Sequence, residues 1–268
     1  MTDAIQAFKQ KQREQWASFA PLELITTPTA ARLVRFAGVR RGQKVLDVAC
    51  GTGVVALTAR REGAHVTALD LTPELLARAK EHSALPGFED IVWREGDAEV
   101  MPFADGEFDV VLSQYGHMFA PRADVVMKEM LRVLKPGGTI AFSTWPPEHA
   151  IGSIFATVGK FRGPPPPGIS PTPQWGDVSI VRQRLGDTVR DVAFDRGTMI
   201  WPTVSPSHYF ELLEKTSGPV LELVKTLRAE PAKLEQFRRE IEAIVARYFD
   251  PTRNEVHQDY LMTRAVKA

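Results

Sequence analysis

Four stretches of this sequence hold residue types able to handle a charged, hydroxyl-bearing ligand. The first, Asp47-Val48-Ala49-Cys50-Gly51-Thr52-Gly53, is an apolar run that breaks into glycines. Lacking a Cβ, glycine lets backbone N–H groups come close to a bound molecule. Gly51-Thr52-Gly53-Val54-Val55-Ala56 also fits G-x-G-x-x-[GA], a dinucleotide-binding pattern that is weak when it stands alone. Asp47 lies just ahead of the loop, where a carboxylate offers nothing to a pyrophosphate but attracts an ammonium group. Asp70, closing the next apolar run, can accept two hydrogen bonds from a ribose diol. Gly96-Asp97-Ala98-Glu99 adds a carboxylate suited to an adenine amino group. The fourth stretch, Ser113 to Phe119, contains Tyr115, which can orient a nucleophile. It also contains His117, whose ordinary pKa suits a general base near neutrality. The plainer reading of His117 is a loop imidazole bonded to backbone.

These residues need a scaffold, and the apolar pattern supplies one. Runs at 44–50, 65–71, 91–95, 108–112 and 139–144 read as buried strands, and helical spacing or capping marks 54–62, 72–83 and 122–134 between them. Strands alternating with helices predict an α/β fold with a doubly wound, mostly parallel sheet. Runs at 189–201 and 260–266 would make that sheet seven-stranded and Rossmann-like. Residues 4–19 form an expected N-terminal helical lid, and 206–229 and 231–249 an expected helical cap. Eight of the 20 prolines fall between Pro146 and Pro173, including the run 164–167, which favours extended polyproline II. The expected organisation is a lid over 1–40, an α/β ligand-binding core over 41–145, a Pro-rich insert over 146–188, and last strands with an inserted cap over 189–268.

Thirty-three basic and 33 acidic residues leave a net charge of zero, which disfavours a role in gripping nucleic acid. The balance hides an uneven distribution. Residues 1–62 carry ten Lys/Arg against five Asp/Glu, and 63–120 carry three against eleven. The acidic block includes Asp70 and Asp97. One cysteine, Cys50, excludes an internal disulfide and reads as a small packing residue. The scattered histidines predict no metal site. With no secretory h-region and no long apolar run, the expected setting is cytoplasmic, away from membranes.

Taken in order, V-L-D-V-A-C-G-T-G (Val45 to Gly53), A-L-D (Ala68 to Asp70), G-D-A-E (Gly96 to Glu99), F-D-V-V (Phe108 to Val111) and L-R-V-L-K-P-G-G (Leu131 to Gly138) resemble the class I S-adenosylmethionine-dependent methyltransferases. Within that class they are similar to the small-molecule branch related to the ubiquinone-biosynthesis enzymes. The resemblance covers roughly residues 40–145. It implies S-adenosyl-L-methionine as cofactor, with Gly51, Thr52 and Gly53 at its methionine portion, Asp47 and Ala49 beside them, and Asp70 and Leu71 at the ribose. Asp97 and the Ala98 amide would read adenine, and Gln114 would border the site. Ala49 departs from the glycine that many relatives carry.

Methyl transfer from a sulfonium needs alignment and exclusion of water more than it needs a metal. A base, here His117, matters only for a nucleophile that arrives protonated. The nucleic-acid amino-methyltransferases of this superfamily carry [ND]-P-P-[FY] where this chain has Ser113-Gln114-Tyr115-Gly116. A small hydrophobic or aromatic acceptor is therefore expected, with Trp16, Phe119, Trp145 and Trp175 as its walls. An NAD-dependent oxidoreductase and a non-catalytic binder of S-adenosylmethionine are the alternatives.

Overall fold

Apolar runs bounded by glycine and proline settle into a single sheet flanked by helices. The computed structural model describes residues 2–163 and 165–268; the first proline of the 164–167 run lies outside the described residues. The chain opens with α1 (Thr2–Trp16) and α2 (Glu23–Ala37), then β1 (Lys44–Val48), α3 (Val54–Arg61), β2 (His65–Asp70), α4 (Pro73–His82) and β3 (Val92–Glu95). After β4 (Phe108–Gln114) come α5 (Ala123–Val133), β5 (Leu134–Thr144), α6 (Ala150–Arg162), α7 (Val178–Leu185) and β6 (Val189–Pro202). The chain ends with α8 (Pro206–Thr216), α9 (Gly218–Leu227), α10 (Pro231–Ala246), the two-residue β7 (Phe249–Asp250) and β8 (Glu255–Lys267).

The strand order is β3-β2-β1-β4-β5-β8-β6, with β7 paired to β8. β1 to β5 pair in parallel, and β8 runs antiparallel between β5 and β6. The order reverses at β1 and β4, so a crevice opens beyond their carboxyl ends, where ligands of doubly wound sheets bind. Val45, Leu46, Val48, Val111, Leu112 and Phe142 are buried on both faces of this centre, as parallel strands covered by helices require.

Several elements differ from the sequence reading, among them the helix α2 and the added two-residue β7. The 146–188 stretch contains two helices, α6 and α7, rather than a proline-dominated insert. The single helix expected over 206–229 is two, because Ser217-Gly218-Pro219 ends one helix and starts the next with proline in its first turn. Pro136-Gly137-Gly138 lies within β5 as a bulge: Phe108 pairs with Leu134, but Val110 pairs with Thr139.

The β6–β8 ribbon outruns the rest of the sheet. β5 leaves β8 at Thr144 opposite Leu261, whereas β6 follows β8 as far as Pro202 opposite Glu255. The overhang carries Met199, Trp201 and Gln258 past the sheet edge and over the crevice. From the other side α1 closes down. Its Gln12 amide donates to the Phe119 carbonyl (2.7 Å), and Arg13 pairs with Glu95 (2.9 Å). Among the described residues no helix is long and apolar enough to cross a membrane.

Candidate active site

The crevice is a cavity whose empty space, mouth included, is about 1520 Å³. The β1–α3 loop forms its floor. Gly53 turns the chain into α3 at φ 83°, and a Cβ there would stand 2.5 Å from Cη2 of Trp93. Gly53 is thus fixed by turn geometry and packing, and the cavity wall is made by Ala49, Cys50, Gly51 and Thr52 instead. Ala49 itself sits at φ 53°, a region that favours glycine, and its backbone lies so close to Gly116 that a Cβ on Gly116 would meet the Ala49 carbonyl at 2.5 Å. Tyr115 also has positive φ, 63°. Two loops strained in this way meet at the cavity, and such backbone is concentrated in functional sites.

The carboxylates divide into three environments. Asp47, 1% exposed, lines the cavity; one oxygen accepts from the Ala56 N–H (3.0 Å), while the other has no partner among the described residues. Burial pushes its carboxyl well above the usual range, against the pull of the Ala56 N–H, and the neighbouring Asp70 charge adds to the rise. Asp70 accepts from the Gly51 N–H (2.7 Å) and the Thr72 N–H (2.8 Å), which oppose the upward push of burial on its own carboxyl. These bonds clamp it against the glycine loop and leave each oxygen a further lone pair. Asp97 accepts from the Glu99 N–H (2.8 Å) and is bridged by Lys9 of α1 at 2.5 Å. Lys9, itself buried, also bridges Glu99 (2.5 Å), and Glu99 holds the Arg122 side chain (2.7 Å). Lys9 and Glu99 were not expected as site residues. A lysine on a polar helix gives no sequence signal of burial.

Leu71, Ala98 and Gln114 line the same cavity, as do Trp16, Phe119 and Trp145. Trp16 packs on Phe119 with ring centroids 4.4 Å apart, and Trp145 stacks on Tyr115 at 4.1 Å and 12°. Cys50 is buried, and burial raises its thiol well above the ordinary value, with the Asp70 and Asp47 charges adding to the rise.

Two expected residues sit in packed surroundings, although His117 is part of the cavity lining. Trp175 is fully buried behind the cavity wall, packed edge-on against His117 (4.6 Å) and Phe142 (5.8 Å) under the Arg184 guanidinium. It is core, not acceptor wall. His117 is fully buried as well. Ser113 donates its hydroxyl proton to the Val48 carbonyl (2.6 Å), so the 2.9 Å contact with His117 places a proton on Nδ1. Nε2 keeps a lone pair with no partner. Burial, helped by Arg184, lowers this imidazole from 6.5 to about 3. A group so resistant to protonation is poorly matched to base catalysis near neutrality. Tyr115 lines the cavity with its ring, and burial raises its phenol well above 10.

The lowered His117 value has a measurable consequence for stability. The unfolded chain takes up a proton below about pH 6.5 that the fold refuses, so stability falls as pH drops from there towards 3. The expected slope is up to about 1.4 kcal/mol per pH unit. Urea titrations should show this loss between pH 6.5 and 5 in the wild type, beyond that in His117→Asn. Parallel curves for the two proteins would remove His117 as the cause.

Beyond the cavity, Asp250, Glu255 and His257 bring ligand-type atoms within 4.8 Å of one another. His257 Nε2 contacts Glu255 at 2.9 Å, and Asp250 accepts from the Thr252 N–H and hydroxyl, so the group is internally paired.

A doubly wound α/β sheet with an antiparallel final ribbon, and a crevice at its switch point lined by Asp47, Asp70 and Asp97, define a ligand-binding α/β protein. Comparison with known proteins makes the assignment more specific. Residues 46–142 match the model of a methyltransferase domain. An uncharacterized protein of Mycobacterium tuberculosis is 37% identical over 240 residues, 88% of this chain and 87% of its own length. The demethylmenaquinone methyltransferase of Staphylococcus aureus is 41% identical over 138 residues, half of this chain and 56% of its own length. Among solved structures, the YcgJ protein of Bacillus subtilis has a TM-score of 0.58 at 16% identity, covering 89% of this chain and 97% of its own. Phosphoethanolamine N-methyltransferase 2 of Haemonchus contortus, solved with S-adenosylhomocysteine, has a TM-score of 0.58 at 17% identity, covering 92% of this chain and 56% of its own. The chain belongs to the class I S-adenosylmethionine-dependent methyltransferases. It is an enzyme of that class, and its cofactor is S-adenosylmethionine.

Proposed function

We propose that the protein methylates a small, uncharged, hydrophobic or aromatic acceptor. One observation carries this reading: charge in the cavity is confined to one half. Lys9, Asp47, Asp70 and Asp97 are the charged side chains among the described lining residues, and all four cluster around the ends of β1, β2 and β3. Over β4, β5 and the β6–β8 overhang the walls are Trp16, Phe119, Trp145, Ile154, Phe155 and Trp201. A phosphate or an ammonium group would find no countercharge there, and burying either unpaired is costly.

The charged half fits the cofactor. The free oxygen of Asp47 faces where an ammonium would sit, the spare lone pairs of Asp70 suit a ribose diol, and Ala98 with Asp97 borders the place of adenine. Gly51 and Thr52 line the methionine portion, with Ala49, Leu71 and Gln114 around it. When bound, S-adenosylmethionine supplies an already activated methyl group. The chain's own contribution is to align the acceptor, and α1 excludes water. With His117 held neutral and Tyr115 resisting ionisation, the acceptor brings its own nucleophile. The pH dependence of turnover then follows the acceptor's pKa. The closed lid also favours a small molecule over a nucleic acid.

Thermal shift with S-adenosylmethionine, S-adenosylhomocysteine and NAD side by side tests the cofactor half. Stabilisation by the adenosyl pair is expected, and stabilisation by NAD alone would overturn the reading. A screen of phenols, thiols and quinols for S-adenosylhomocysteine release then tests the acceptor half. Turnover confined to phosphorylated or cationic acceptors would sink it.

A further inference from the structure

We infer that Gln258 recognises the methyl acceptor, and that the acceptor carries an O–H or N–H donor on its apolar frame. The inference rests on the uncharged-acceptor reading above and adds a specific polar contact to it. Gln258 lies on the inward face of β8, opposite Met199 of β6, in the part of the ribbon that projects past the edge of β5. Its side chain is completely buried and lines the cavity. The amide nitrogen donates to the Tyr209 hydroxyl of α8 at 2.5 Å, and Tyr209 is in turn packed under Trp201 with centroids 4.6 Å apart. With the amide nitrogen on Tyr209, the oxygen is the end left over. Oε1 has no hydrogen-bond partner.

A buried amide oxygen without a donor is more costly than an ordinary hydrogen bond is rewarding, so such groups mark a place where a partner is expected. Around it the described lining residues Met199, Trp201, Leu213 and Ile154 are hydrocarbon or aromatic, with Ser217 the neighbouring polar one. A lone, neutral acceptor atom in such surroundings selects by hydrogen bonding without charge. An anion would be repelled by the carbonyl dipole. An acceptor with its donor capped, by a methyl ether for example, would leave Oε1 stranded.

The test uses matched aromatic probes on the protein saturated with S-adenosylhomocysteine. By calorimetry, 2-naphthol should bind about five- to tenfold more tightly than 2-methoxynaphthalene or naphthalene, the return expected of one buried hydrogen bond. The double variant Gln258→Met/Tyr209→Phe removes both amide and hydroxyl, so that neither is stranded in the core. In it the preference should collapse to within about twofold, with affinity for S-adenosylhomocysteine unchanged. Tyr209→Phe alone keeps the amide and should retain most of the preference. A preference that persists in the double variant, or equal binding of naphthol and methoxynaphthalene to the wild type, would overturn the assignment of Gln258. If none of the three probes binds while S-adenosylhomocysteine does, the apolar-acceptor reading falls and this inference with it. Failure of S-adenosylhomocysteine itself to bind would instead indict the cofactor half.

Discussion

Asp47→Asn should weaken S-adenosylmethionine binding about thirtyfold or more while making the ligand-free protein more stable at neutral pH. Both effects follow from one arrangement: a cavity-lining carboxylate 1% exposed, with one oxygen on the Ala56 N–H and the other unpaired among the described residues. Removing one partner of a buried, hydrogen-bonded charge pair costs about 2–5 kcal/mol of binding, and each 1.4 kcal/mol is tenfold. In the empty protein the same charge is a liability. Burial raises the folded carboxyl well above its unfolded value. A group raised in this way stabilises below its unfolded pKa, and that stabilisation is lost as pH rises through the folded value. Asparagine keeps an oxygen for Ala56 and has no charge to desolvate, so the variant should gain about 0.5–2 kcal/mol at pH 7. Below about pH 4, where the carboxyl is protonated in both states, the gain should vanish. Calorimetric titration and urea unfolding at the two pH values check the two halves. Unchanged affinity would remove Asp47 from the site, and a loss of stability at pH 7 would mean that its charge is solvated after all.

Why this site could be read so far from the sequence, and no further, lies in where each signal originates. Asp47, Gly51 and Asp70 are local: strand ends and tight turns announce themselves in a few residues, and the sheet order brings them together. The helices α6 and α7 are hidden by prolines at their flanks, since Pro146, Pro147 and Pro165 to Pro167 punctuate the chain without entering the helical turns between them. α2 was masked in the same way, because it carries Pro28 internally while its threonines bond back to the preceding carbonyls. His117 and Trp175 have residue types suited to catalysis and recognition, and only burial shows them to be a packed pair, His117 in the cavity wall and Trp175 behind it. Gln258 gave the opposite difficulty. A single glutamine in an alternating strand carries no chemistry until the overhang of the ribbon places it in the cavity. Side chains that act through long-range placement are invisible to a pattern that is local by nature.

The same distinction makes Glu99 the most consequential residue outside the cofactor contacts. It is 2% exposed and ties α1 to the start of α5 through three contacts. Lys9 reaches it from the lid helix at 2.5 Å, the Arg122 N–H at the start of α5 donates to it at 2.5 Å, and the Arg122 guanidinium closes on it at 2.7 Å. Glu99→Ala leaves the Lys9 ammonium buried with Asp97 alone and uncaps α5. Breaking a buried ion pair by removing one partner costs about 3–5 kcal/mol. With Asp97 still paired to Lys9, the lower end is expected, about 3 kcal/mol, which for a domain of this size is a fall in Tm of roughly 6–12 °C. Lys9→Met should cost less, because Arg122 remains on Glu99 when the lid cation is gone. Hydrogen exchange separates the lid from the core: amides of α1 should lose protection in both variants, those at the start of α5 only in Glu99→Ala. A Tm within about 2 °C of wild type for Glu99→Ala would show that the lid and α5 are held by packing alone. The expected ranking, Glu99→Ala well below Lys9→Met, would establish that the acidic segment proposed to border the cofactor is also the clasp that holds α1 over the cavity.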